Sequence, residues 1–175
     1  MAEIRLLPKF LTAEIAKIAV DSVFELVFKN EALIARLKRK ECHVVILVPS
    51  MFADCDAGYP NWPNYRTDSF CLYEQGFGHE EEWPYPFKDI AQCKALQLWQ
   101  ERNDDRTDVM PHLLFPGDTP FWGGVRRHGI VVTCSGVQPY FDKMISGMIA
   151  DMCAALAYDA WMQSEDKAED NNFLS

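Results

Sequence analysis

The sequence predicts a mixed α/β domain of the α+β type: one antiparallel sheet flanked by helices, in the order α-β-β-α-β-β-α. Three observations carry that expectation. Short apolar runs rich in β-branched residues come in two pairs, each pair joined by turn- or loop-forming residues rather than by a helix. Three longer segments around those pairs repeat their apolar residues every three or four positions, the period of an amphipathic helix. The chain has 175 residues, 49% of them hydrophobic, which is enough for one sizeable core and near the usual size of one domain.

The first helix starts after Leu11, with Thr12 placed to cap it. Ile15, Ala19, Val23 and Leu26 follow at helical spacing, and Leu33 and Leu37 continue the stripe past Asn30. This is either one long helix or two pieces meeting near Asn30. His43–Val48 is continuously apolar and β-branched, as in a central strand covered on both faces, and Pro49 is expected to end it. Residues 50–66, rich in Asp, Gly, Pro and Asn, read as a long loop, and Asp68–Gln75 as the strand that returns from it. Pro86 opens a helix expected over 87–102, with Ile90, Ala91, Lys94, Ala95, Leu98 and Trp99 along one side. Phe121–Val125 and Gly129–Cys134 read as the second strand pair, with Arg126, Arg127 and His128 in their connection. The last helix follows Ser135-Gly136 and carries the stripe Phe141, Ile145, Met148, Ile149, Met152 and Leu156. Residues 1–164 are thus expected to form a single domain and residues 165–175 an acidic, disordered tail.

Composition narrows the function classes. Lys and Arg number 17 against 26 Asp and Glu, a formal charge of −9, which argues against a nucleic-acid partner because phosphate binding needs a positive surface. The one dense basic run, Arg36 to Lys40, falls where a helix should end and is expected to answer the helix dipole. The six cysteines contain no CxxC pair, so a zinc site is not expected, and no metal is assigned; the thiols read as reduced core residues in a reducing compartment. Met1–Phe10 lacks a long apolar stretch after a basic start, and no apolar run approaches the ~20 residues needed to span a bilayer. The expectation is a cytoplasmic chain without membrane contact.

Several of these segments carry short motifs. Phe87-Lys88-Asp89-Ile90-Ala91-Gln92-Cys93-Lys94-Ala95 ends in a Lys-Ala pair; Gly117-Asp118-Thr119-Pro120 is a glycine turn ending in proline; a hairpin surrounds Gly123-Gly124; Val132-Thr133-Cys134-Ser135-Gly136 closes a strand; and Asp142 opens the final helix. In this order they resemble the GlcG/HbpS-like family, also called the haem-degrading domain family, and most closely its short stand-alone branch from fungi and bacteria. The resemblance spans roughly residues 11 to 160. The chain departs from the family where Asp118 replaces a second glycine, where Ile130 replaces a glycine early in the last strand, and in the aromatic insertion at 50–66. The resemblance implies a profilin-like fold, self-association into a homo-oligomer and, for some members, haem binding or breakdown.

Four groups of residues are therefore candidates. His128, flanked by Arg126 and Arg127, would offer an axial ligand and two partners for haem propionates, and His79 is a second candidate ligand. Each has a plainer role as a surface or packing residue, and His79 with Glu80, Glu81 and Glu82 equally describes a solvated acidic loop. Gly117, Ser135 and Gly136 mark turns whose backbone amides suit a carboxylate or phosphate ligand, although turn geometry alone explains both glycines. Cys134 invites a nucleophile reading, but it sits in an apolar strand with no identifiable base. Trp62, Trp83, Phe121 and Trp122 fall outside the core stripes and are expected at a subunit interface, although these loop aromatics, Tyr85 among them, could equally line a ligand cleft. Two functions stay open: a small-ligand-binding domain, with haem or another tetrapyrrole first among ligands, and a non-catalytic interaction or assembly module.

Overall fold

One long strand organises the sheet. The computed structural model describes residues 3–54, 66–103, 110–169 and 174. β1 (Glu3–Leu6) and β2 (Cys42–Asp54) pair antiparallel at the far end of β2, over Met51–Asp54. β3 (Arg66–Phe77) runs antiparallel along one edge of β2 from Cys42 to Phe52. On the other edge, β5 (Ile130–Ser135) pairs antiparallel with His43–Leu47, and β4 (Gly124–Arg127) flanks β5. The result is the predicted antiparallel sheet with helices packed around it.

Side chains alternate between the two faces of this sheet. Val44, Ile46, Val48, Val132 and Cys134 enter one core with α1 (Ala13–Phe28) and α4 (Pro139–Met162). Val45, Leu47 and Val131 meet Ala91, Ala95 and Leu98 of α3 (Phe87–Trp99) on the other side. Complete burial of each Val or Ile in such a strand contributes about 1.5–3 kcal/mol, which is why a run apolar at every position sits centrally.

The departures from expectation have local causes. Thr12 caps α1 as predicted, its Oγ1 accepting the Ile15 N–H at 3.2 Å. The helix then stops, and Asn30 caps a separate turn, α2 (Glu31–Ile34). Pro49 does not end β2: it falls between the stretches that β5 and β1 occupy, where one edge has no ladder to break. The strands extend to Asp54 and back from Arg66, so both ends of the expected 50–66 loop are strand, and its remainder, 55–65, lies outside the described residues. β1 itself was not predicted, being too short to show a period. β4 begins at Gly124 rather than Phe121, so Arg126 and Arg127 belong to the strand. The connection is only His128-Gly129, with φ of 56° and 79°, the signature of a two-residue type I′ turn. Glu165–Ala168, expected to be disordered, forms a helical turn, α5, capped by Ser164. Among the described residues no helix is long and apolar enough to cross a membrane.

Candidate functional site

The chain turns sharply at the end of β5. Gly136 has φ of +141°, and a Cβ there would lie 2.3 Å from the Glu41 carbonyl oxygen and 2.7 Å from the Cys42 Cα. Only glycine lets the backbone cross the start of β2 so closely. The crossing delivers Val137 and Gln138 to the head of α4. Gln138 does not cap that helix with its side chain; its Oε1 accepts the Lys38 N–H at 2.9 Å and its Nε2 donates to the Arg36 carbonyl at 3.0 Å. The segment after α2 is thereby fastened beside α4, and Arg39 is brought over the same corner.

A cleft of about 280 Å³ opens there, between the first turns of α3 and α4. Tyr85, Phe87, Ile90, Phe121, Val137 and Pro139 form its apolar walls. Its polar groups are Arg39, Lys94, Ser135, Gln138 and Asp142. The Arg39 guanidinium sits 5.5 Å from the Tyr85 ring centre and 5.9 Å from that of Phe87, and donates to the Gly136 carbonyl at 3.2 Å. It has no carboxylate partner among the described residues. The helix ahead of the basic run has no basic residue in its last turn, and one member of the run, Arg39, is turned into a cleft instead.

Lys94 and Asp142 are 2% and 3% exposed. The Lys94 Nζ donates to the Cys134 carbonyl at 3.1 Å and lies 3.4 Å from the Asp142 Oδ2. The Asp142 Oδ1 accepts the Val137 N–H at 3.1 Å, tying the helix head to the strand end. Burial pushes the Asp142 carboxyl up to about 6, against the opposing pull of Lys94. Cys134 is not poised as a nucleophile: a hydrogen bond with Cys42 and complete burial hold its thiol well above the usual range. Ser135 is 4% exposed and lines the cleft, and its hydroxyl has no hydrogen-bond partner among the described residues.

The other candidates lie elsewhere. His128, Arg126 and Arg127 sit at the opposite end of β5 from Ser135, about five residues or roughly 17 Å along the strand. There the His128 Nε2 lies 2.9 Å from Asp151, Arg127 donates to Asp151 at 2.7 Å, and Arg126 pairs with Glu101. The hydrogen bond from His128, then that from Arg127, holds the Asp151 carboxyl below its usual range. His79 follows β3 at the Ser135 end of the sheet, exposed before the 3₁₀ turn Glu80–Glu82. His79 and His128 thus stand at opposite ends of the sheet and cannot share a ligand. Gly117 is exposed, belongs to a turn pinned by Arg102 and Asp118, and does not line the cleft; Ser135 and Gly136 do.

Of the expected interface aromatics, Trp83 packs against His43 and Phe87 within the chain, with ring centres 6.1 Å and 5.5 Å away. Trp122 is half-buried, and Phe121 is exposed on the rim of the cleft. Trp62 lies outside the described residues. Cys71 is exposed, unlike the buried Cys42, Cys134 and Cys153. Among the described residues no three His, Cys, Asp or Glu side chains gather as a metal site would require.

Sequence reading missed Arg39 as a cleft residue and the Lys94–Asp142 contact, whereas Tyr85 and Phe121 take the cleft-lining role that was the alternative for the loop aromatics. A Lys inside the apolar side of α3 was the available signal, because a lysine is almost never fully buried without a partner. Comparison of the chain with protein-family profiles, curated proteins and solved structures finds no match.

Proposed function

We propose that this chain is a small-ligand-binding domain and that the cleft between α3 and α4 is its site. The observation that carries the reading is the pairing of apolar, aromatic walls with a few convergent polar groups, the usual make-up of a ligand pocket. The resemblance to the haem-degrading domain family puts a tetrapyrrole first among ligands to try. The donor set does not fit axial ligation of haem iron: the cleft is lined by no His, Cys or Met, and Tyr85 is its one residue of an axial-ligand type. A cleft of about 280 Å³ also suits one or two rings better than a macrocycle. A small aromatic ligand is therefore the reading best supported, with haem as the rival.

Thermal unfolding of the full chain with a panel of one- and two-ring compounds tests the site. At least one compound is expected to raise the midpoint, and Ile90→Trp, which fills the cleft, is expected to abolish the rise. Haemin titration followed at the Soret band tests the rival in parallel. If no compound raises the midpoint and the haemin spectrum stays that of free haemin, the ligand-binding reading is wrong.

Assembly is the second reading, favoured by one observation: Phe121, which lines the cleft, and Tyr140 in the first turn of α4 leave large aromatic rings 51% and 57% exposed. Sedimentation velocity is expected to show a homo-oligomer. A species of the 20.1 kDa monomer mass at every micromolar concentration would defeat it.

A further inference from the structure

We infer that the ligand of this cleft is a small flat anion, an aromatic carboxylate, whose charged head is taken by Arg39 and Ser135 while its ring lies among Tyr85, Phe87 and Phe121. The inference rests on the proposed ligand-binding role and specifies its chemistry. Two side chains of the cleft point to a negative charge. Arg39 stacks beside two aromatic rings and spends a single N–H on the Gly136 carbonyl, which leaves guanidinium donors with no acceptor among the described residues. A planar guanidinium held in this way recognises a planar carboxylate with two parallel hydrogen bonds. Ser135 lines the same space, and its hydroxyl has no hydrogen-bond partner among the described residues.

The balance of fixed charge agrees with them. Asp142 is the cleft's one acidic group, and it is already engaged by Lys94 and by the Val137 N–H. Arg39 is therefore left as the uncompensated charge. The walls decide the rest of the ligand. Phe87 is buried and Tyr85 and Phe121 are half-exposed, so they offer ring faces and edges rather than a closed apolar pocket. A bare inorganic anion would leave those faces in water, and a neutral ring would leave Arg39 and Ser135 without partners.

Isothermal titration calorimetry on the full chain, at pH 7.5 and low salt, compares 2-naphthoate with its neutral isostere 2-naphthamide and with inorganic phosphate. The expected result is naphthoate binding at least tenfold tighter than naphthamide, with phosphate weaker than either. Arg39→Leu should bring naphthoate to the affinity of naphthamide and leave naphthamide unchanged, and Arg39→Lys should restore only part of the difference. Equal affinity of naphthoate and naphthamide for the unaltered chain would overturn the anion inference while leaving the ligand-binding role in place. Binding of neither ring compound would overturn both.

Discussion

The two ends of β5 carry similar residue types in opposite states. At the Ile130 end, Arg126, Arg127 and His128 are half-exposed or exposed, and each meets a surface carboxylate. At the Ser135 end, Lys94 and Asp142 are sealed from water, and Arg39 has no carboxylate partner among the described residues. Solvent makes the difference. Exposed ion pairs are screened and contribute about 0–1 kcal/mol, whereas a buried pair has lost its hydration and depends on its remaining partners. A dense run of basic residues in a sequence therefore says little about where chemistry resides; a cation held without a carboxylate, beside rings, says more.

Glycine substitution gives the largest expected contrast. Each end of β5 has a glycine with positive φ, Gly129 at +79° and Gly136 at +141°. A Cβ on Gly129 meets nothing within 4 Å, so Gly129→Ala should cost only the dihedral strain, about 1–2 kcal/mol. Gly136→Ala drives a methyl group into the backbone of Glu41 and Cys42 and should cost on the order of 4 kcal/mol or more. Urea unfolding measures both; similar losses would show that the crossing at Gly136 is looser than its geometry implies.

The charged pairs follow. Lys94→Met strands the Cys134 carbonyl and the Asp142 carboxyl in the interior, and a loss of roughly 3–5 kcal/mol is expected at pH 7. Arg127→Met at the other end should stay within about 1 kcal/mol, because its partner Asp151 is exposed. Equal effects would erase the distinction between the two ends.

The pH dependence should be opposite in sign. Asp142 is raised from the usual 3.8 to about 6, so between those values the folded chain holds a proton that the unfolded chain has released. Stability attributable to this group is greatest below pH 4 and falls as pH rises through 6, by up to roughly 3 kcal/mol at about 1.4 kcal/mol per tenfold change in acidity. Asp151, held below its usual range first by His128 and then by Arg127, stabilises above the ordinary carboxylate range and loses that contribution as pH falls. The clean measurement is the difference in unfolding free energy between the unaltered chain and Asp142→Asn from pH 4 to 7. That difference should move against the unaltered chain as pH rises, and parallel curves would contradict the buried-carboxyl account.

These contrasts also show what could be read in advance. The sheet and its helices were legible because β-branched runs and helical periods are local, and caps such as Thr12 act within one turn. Asn30 left two alternatives, and only the capping of Leu33 resolved them. The end of β2 was misplaced because Pro49 breaks strands in general but is tolerated where one edge changes partner. The cleft was not legible as a unit. Its polar groups come from the segment after α2, from α3, from the end of β5 and from the head of α4, and nothing in spacing joins residues that far apart. The basic cluster beside His128 is contiguous and so is visible in the sequence, but its exposed position at the β4–β5 turn makes it an ordinary surface network with Glu101 and Asp151.

The most direct test of the claim that ligand chemistry lies at the Ser135 end is a map of backbone amide shifts. Titrating 2-naphthoate into the ¹⁵N-labelled full chain should move the amides of Ile90, Gly136, Val137 and Gln138 while leaving Arg126, His128 and Asp151 unperturbed. Shifts centred on the β4–β5 turn and Asp151, with the Ser135 end silent, would place the binding chemistry at the wrong end of the strand and contradict the account.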